Sequence, residues 1–293
     1  MARPGGRRVV NMGIITNGND SSTSGRDSGA PAGDAETQEW VARRASSFGA
    51  VATDYDEHRP GYPSEAVAWA LAPVSARRGG GPLDVLDLAA GTGKLTREAL
   101  ALGHRVTAVE PDAGMLDALR ERLPQATALS GAAERIPLAD ASVDAVVVGQ
   151  AIHWFDQERA LPEIARVLRP GGVLATLSNA DDDRVGWIAG LGEISPSQVS
   201  FLGWENKPRR AIEPHPAFSA PVEADFPHVM VRTAETLTAT AATHSHLLVM
   251  EPAQRAAATA RILDYLKSRP ETASGEFELH LVTRVQRCEH AAG

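Results

Sequence analysis

Between Leu83 and Leu177 short apolar runs alternate with amphipathic stretches, a rhythm that predicts a parallel sheet with crossover helices. The spacing predicts strands over Leu83–Leu88, Arg105–Val109, Thr127–Ser130, Val143–Gly149 and Val173–Leu177. It predicts helices over Lys94–Leu102, Ala113–Leu123 and Glu158–Leu168, the last halted by Arg169-Pro170-Gly171-Gly172. The predicted strands read as continuous apolar runs, as expected where both faces of a sheet are covered. After Ser178 the rhythm breaks, and residues 180–222 mix acids, prolines and spaced aromatics such as Trp187 and Phe218. That stretch is too long for a plain connection and predicts a lid or binding loop. Beyond it, Phe226–Arg232 and Glu276–Arg287 read as an antiparallel closing pair, with helical material from Ala241 to about Lys267 interrupted at Pro252.

Upstream, the first residues are rich in Gly, Ser, Asp, Asn and Pro without sustained periodicity, which predicts a disordered tail. Trp40–Phe48 reads as a short helix, and Ser64 as the N-cap of a helix ending near Leu71. The organisation expected is a tail over 1–38, a helical cap over 39–82, a core over 83–178, a substrate-side insertion over 179–222, and the rest of the sheet with its helix over 223–293.

Composition narrows the partners. A net charge of −8 with scattered basic pairs disfavours a nucleic-acid substrate. The longest strongly apolar run is too short for a bilayer, and no continuous apolar signal region opens the chain. The expectation is therefore a cytoplasmic protein with no membrane partner, a monomer or homodimer. The single cysteine, Cys288, can form neither an internal disulfide nor a cysteine-based zinc site. His244 and His246 stand at i and i+2, off a common helical face, so no metal is expected.

The densest chemical signal is Val85-Leu86-Asp87-Leu88-Ala89-Ala90-Gly91-Thr92-Gly93-Lys94-Leu95-Thr96. A strand runs into a glycine turn and a helix opens directly, so backbone amides face whatever fills the turn. The next strand ends in Glu110, where a ribose-binding acid stands in nucleotide-binding βαβ units. Thr96 occupies the third glycine position of a dinucleotide fingerprint, and the spacing of a phosphate-binding Walker loop is missing.

What remains resembles the first motif of class I S-adenosylmethionine-dependent methyltransferases, with Ala89 where many members carry glycine. Gly131-Ala132-Ala133-Glu134 and Gln150-Ala151-Ile152-His153-Trp154 are similar to later motifs of that family, as is the Leu-Arg-Pro-Gly-Gly turn. The segment carrying Tyr55, Arg59, Tyr62 and Pro63 resembles a subgroup that includes trans-aconitate-methyltransferase-like proteins, in which it folds over the cofactor.

The resemblance implies an α/β fold: a Rossmann-like seven-stranded mixed sheet with a lid insertion and a disordered N-terminal tail. It implies S-adenosyl-L-methionine as cofactor, yielding S-adenosyl-L-homocysteine, held by Tyr55, Arg59, Asp87, Ala89, Gly91, Thr92, Gly93, Glu110, Pro111, Met115, Ala133, Glu134, Gln150 and Ala151. Tyr62, His153, Trp154 and Trp187 are expected to meet the acceptor. His153 stands open as general base or pocket floor, and Trp154 as a face for the sulfonium.

The expected acceptor is a small molecule, an aromatic or carboxylate-bearing specialised metabolite methylated on O, N or C. The competing readings are a same-fold enzyme with non-methylating chemistry and a non-catalytic cofactor-binding protein.

Overall fold

The computed structural model describes residues 59–195, 200–206, 211–242, 247 and 250–291. The expected tail, the Trp40–Phe48 helix, Tyr55, His244 and His246 lie outside the described residues.

A seven-stranded sheet organises the chain: β1 (Asp84–Leu88), β2 (Arg105–Glu110), β3 (Thr127–Ser130), β4 (Val143–Gly149), β5 (Leu168–Asp181), β6 (Val222–Arg232) and β7 (Phe277–Glu289). The spatial order is β3-β2-β1-β4-β5-β7-β6. β1 to β5 pair in parallel, and β7 runs antiparallel to both β5 and β6. The mixed sheet and its antiparallel closing pair are those expected from the sequence.

Three helices lie against one face: α1 (Ser64–Arg77), α2 (Lys94–Ala101) and α3 (Ala113–Arg122). Leu71 and Val74 of α1 and Leu95 of α2 pack there on Val85, Val147 and Leu177. α4 (Gln157–Val167) covers the other face through Leu161 and Ile164, against Leu86, Val146 and Leu174. The pleat sends alternate residues of each buried strand to opposite faces, which is why these strands are apolar throughout.

Further helices are α5 (Gly186–Ile194), α6 (Phe201–Asn206), α7 (Ala234–Ala242) and α8 (Pro252–Lys267). Three of them, α5, α7 and α8, pack as one apolar cluster on Phe277, Leu279 and Leu281 of β7.

Several boundaries move. The first helix reaches Arg77 rather than Leu71, and Pro63 rather than Ser64 is its N-cap. The Ser64 hydroxyl donates instead to Glu98 Oε2 at 3.1 Å. β5 runs to Asp181, so a boundary at 178/179 cuts a continuous strand. The insertion is also no mere loop. It holds α5 and α6, and its later part lays Ile212 and Phe218 on the sheet face beneath α4. The helical stretch begins at Ala234, earlier than expected.

Candidate functional site

The order of strands reverses between β1 and β4, and an open α/β sheet binds ligands in the crevice beyond the carboxyl ends at such a point. The crevice is built first from the turn between β1 and α2. Ala89, Gly91 and Gly93 all take left-handed backbone, with φ of 58°, 57° and 91°. Gly93 is required twice over, because a Cβ there would also stand 2.7 Å from Leu123 Cδ1 and 3.0 Å from Leu119 Cγ. At Gly91 the nearest neighbour of such a Cβ would be Met115 Sδ at 3.8 Å, leaving bare backbone beside open space. Ala89 holds the same conformation with a side chain, a strain of about 1 kcal/mol.

Glu110, at the end of β2, closes over this turn. Its Oε2 accepts the Gly91 N–H at 2.8 Å and its Oε1 the Asp112 N–H at 2.9 Å. Burial pushes its carboxyl up from the ordinary range, and those two N–H groups oppose the shift. Asp112 in turn accepts the Met115 N–H and caps α3. Asp87 is 1% exposed. Its Oδ2 accepts the Thr96 hydroxyl at 2.6 Å, while its buried Oδ1 has no partner among the described residues. Burial, reinforced by the Glu110 charge and opposed by Thr96, pushes the Asp87 carboxyl up to about 7. The Thr96 side chain therefore has a structural use that no glycine could serve.

Across the crevice, Ala133 is buried and Glu134 Oε1 accepts the Asp156 N–H at 3.1 Å, tying the loop after β3 to the start of α4. Gln150, just past β4, is left-handed too, with φ of 57°. Its N–H donates to the Leu177 carbonyl at 2.9 Å and its Nε2 to the Asn179 carbonyl at 3.3 Å. A short 3-10 turn follows, Ile152–Trp154, with Ile152 buried and the next two side chains exposed. His153 and Trp154 lie with ring centroids 4.6 Å apart, and Trp154 is 40% exposed. They form a rim rather than a floor.

The chain enters over the same end of the sheet. Asn179 Nδ2 donates to the Gly61 carbonyl at 3.0 Å. The Tyr62 hydroxyl lies so close over Gly149 that a Cβ there would stand 2.6 Å away. Arg59, half-buried, acts on Asp181 through its charge.

The structure thus brings together Arg59, Tyr62, Asp87, Ala89, Gly91, Thr92, Gly93, Glu110, Met115, Ala133, Glu134, Gln150, Ala151, His153 and Trp154 around the carboxyl ends of the strands. Pro111 sits exposed between Glu110 and Asp112. Trp187 is a correction. It is 8% exposed and packs edge-on against Phe277 at 5.4 Å, and its carbonyl accepts the Tyr265 hydroxyl at 2.8 Å. Its place is the core of the α5–α7–α8 cluster. Sequence reasoning missed Asn179 and Asp181. The signal was the polar alternation in Ser178-Asn179-Ala180-Asp181, which continues the apolar strand before it.

These groups suit an adenosine-bearing cofactor. Each Glu110 oxygen takes one protein donor and keeps a lone pair for a hydroxyl, Asp87 Oδ1 has no partner among the described residues, and the Gly91 backbone is bare. Among the described residues no group of three or more His, Cys, Asp or Glu side chains is placed to hold a metal ion.

Fold and site together resemble those of methyltransferases. Residues 86–176 match the family described as "Methyltransferase domain". An uncharacterized methyltransferase of Mycobacterium tuberculosis is 55% identical over 148 residues, covering 50% of this chain and 58% of that protein. A malonyl-[acyl-carrier protein] O-methyltransferase of Pectobacterium atrosepticum is 38% identical over 149 residues, covering 50% of this chain and 55% of that protein. The solved structure of a putative type II methyltransferase from Anaeromyxobacter dehalogenans superposes with a TM-score of 0.56 at 26% identity, covering 80% of this chain and 98% of that one. Over these stretches the chain is similar to S-adenosylmethionine-dependent methyltransferases. Its matches span less than two thirds of the length of these curated relatives.

Proposed function

We propose that the protein transfers a methyl group from S-adenosylmethionine to a small-molecule acceptor that is aromatic or carboxylate-bearing. The observation that carries this reading is the Glu110 carboxylate bonded to the Gly91 N–H, which couples the ribose-type acid to the glycine turn. Glu110 would hold the ribose hydroxyls, the Ala133–Glu134 backbone the base, and Asp87 with the Gly91 turn the amino-acid portion. Bound there, the cofactor supplies an electrophilic methyl group on a sulfonium. The chain's own contribution is alignment and exclusion of water. Tyr62 and the Arg59–Gly61 segment wall the β4–β5 side, and Trp154 offers an aromatic face at the rim.

The malonyl-carrier relative is named for methylating oxygen, which favours a carboxylate among the acceptor groups. His153 would orient the acceptor or receive a proton where the acceptor is a hydroxyl or amine, and a carboxylate needs neither. The test is transfer of labelled methyl from S-adenosylmethionine to a panel of aromatic and aliphatic carboxylic acids and phenols. Labelled product with matching S-adenosylhomocysteine is the expected result. Bound cofactor that is never consumed across the panel would favour a non-catalytic role.

No helix among the described residues is long and apolar enough to cross a membrane.

A further inference from the structure

The start of α4 is held from outside. Asp156 stands at its N-cap, but the side chain makes no capping hydrogen bond. A helix that opens without such a cap leaves its first amides short of partners and frays readily. Two contacts from other parts of the chain flank this opening. From the loop after β3, Glu134 Oε1 accepts the Asp156 N–H at 3.1 Å. The Gln157 side chain reaches the later part of the insertion, where its Nε2 donates to the Ala211 carbonyl at 2.9 Å and its Oε1 accepts the Glu213 N–H at 3.0 Å.

One side-chain amide thus pairs with residues 211 and 213 as a residue of a neighbouring strand would. Ile212, between them, is 2% exposed. It shares an apolar cluster with Ile152 of the rim turn, and Ala151 and Phe155 pack against that cluster. The Ala211 N–H donates to Gln286 Oε1 at 2.8 Å, and Gln286 Nε2 donates to Glu223 on β6. The sheet therefore holds one side of this segment, and Gln157 ties the other to α4.

We infer that Gln157 is a positioning residue that latches the 211–213 segment of the insertion to the rim of the crevice, so that cofactor bound against the Ala133–Glu134 backbone steadies that segment. The element with two states is the first turn of α4. Closed, it is gripped by Glu134 on one side and joined to the insertion by Gln157 on the other. Frayed, it releases both. A ligand resting on the Ala133–Glu134 backbone fixes that loop where it bonds the Asp156 N–H, and so favours the closed turn. The insertion is accordingly set after the cofactor enters. The assignment rests on the methyl-transfer reading, because that reading puts the base of the cofactor at Ala133–Glu134.

The test is hydrogen exchange of the full-length protein, read by mass spectrometry with and without saturating S-adenosylhomocysteine. One set of peptides covers the Arg159 and Ala160 amides, both bonded to the Asp156 carbonyl, and another covers 211–213. In wild type the ligand is expected to slow exchange roughly tenfold in both sets, as for one added hydrogen bond. Gln157→Ala keeps the slowing at α4 and loses it at 211–213, with S-adenosylhomocysteine affinity unchanged. A segment held by packing alone would exchange faster in that variant yet keep its response to the ligand. Gln157→Glu, which still accepts from Glu213 but no longer donates to Ala211, shows a partial response. No response at 211–213 in wild type, or an equal one in Gln157→Ala, overturns this proposal alone. Should Gln157→Ala fail to fold, Gln157→Glu decides, and a response equal to that of wild type overturns the proposal. Failure of wild type to bind S-adenosylhomocysteine overturns the methyl-transfer reading and this proposal with it.

Discussion

The parallel half of the sheet, β1 to β4, and the antiparallel half, β5 with β7 and β6, are built on different rules. In the parallel half β1, β2 and β4 are each followed by a helix, and the chemistry sits in the turns at the strand ends. Ala89, Gly91 and Gly93 hold their left-handed turn within a few residues of β1, and Glu110 reaches that turn from the neighbouring strand. In the antiparallel half, contacts span great sequence separations: Thr283 on Asn179, Tyr265 on Trp187, Arg284 on Asp225. The first half specifies a ligand by backbone conformation, and the second shapes a wall by packing. Cofactor and acceptor would accordingly be read by different parts of one sheet.

That contrast can be broken by perturbing each half and asking what moves. The largest effect is expected at Trp187→Ala, which removes a buried ring packed on Phe277 and should cost about 3–5 kcal/mol of stability. Denaturant unfolding measures the loss, and S-adenosylhomocysteine affinity of the folded fraction should stay unchanged. A parallel fall in affinity would mean the two halves are not separable.

Asp87 offers a pH signature in the other half. Its carboxyl moves from an ordinary 3.8 up to about 7 in the folded chain. The folded state therefore holds a proton that the unfolded chain releases between those values, and the stability this contributes is complete below about pH 4 and lost as pH rises through 7. Asp87→Asn should flatten that decline, gaining on the order of 2 kcal/mol relative to wild type at pH 8 over pH 4. Thermal unfolding across this range shows it, and an identical pH slope in both proteins would remove Asp87 as its source.

Gly93→Ala meets both a left-handed φ and the Leu119 and Leu123 side chains, so a loss of about 1–3 kcal/mol is expected, with weakened cofactor binding because the turn itself shifts. The smallest change is at Ala89→Gly, which relieves the left-handed alanine. It should stabilise by a few tenths of a kcal/mol, the strain released being partly offset by greater freedom of glycine in the unfolded chain. A melting curve shifted downward would contradict the strain assigned there.

The same contrast governs what was legible in the sequence. Strands β1 to β4, their helices and the Gly91–Gly93 turn were readable because period, apolar runs and turn residues are local signals. Glu110 was readable from its spacing to that turn. β5 was cut short because Ser178 and Asn179 look like the end of an apolar run, whereas the strand continues by pairing with β7, more than a hundred residues away. Trp187 was assigned to the acceptor because an isolated tryptophan in an irregular stretch gives no sign of its partners, Phe277 and Tyr265. Asp87 was named without its function: that Thr96 donates to it follows from the way α2 folds back over β1.

The central claim is that the Glu110-closed turn is the cofactor's seat. Calorimetric titration of S-adenosylhomocysteine into wild type and Glu110→Ala tests it most directly. The account predicts binding by wild type that the substitution weakens by about 1.5–3 kcal/mol, as for loss of hydrogen bonds to a charged group. Equal affinity of the two proteins, with both folded, would contradict it.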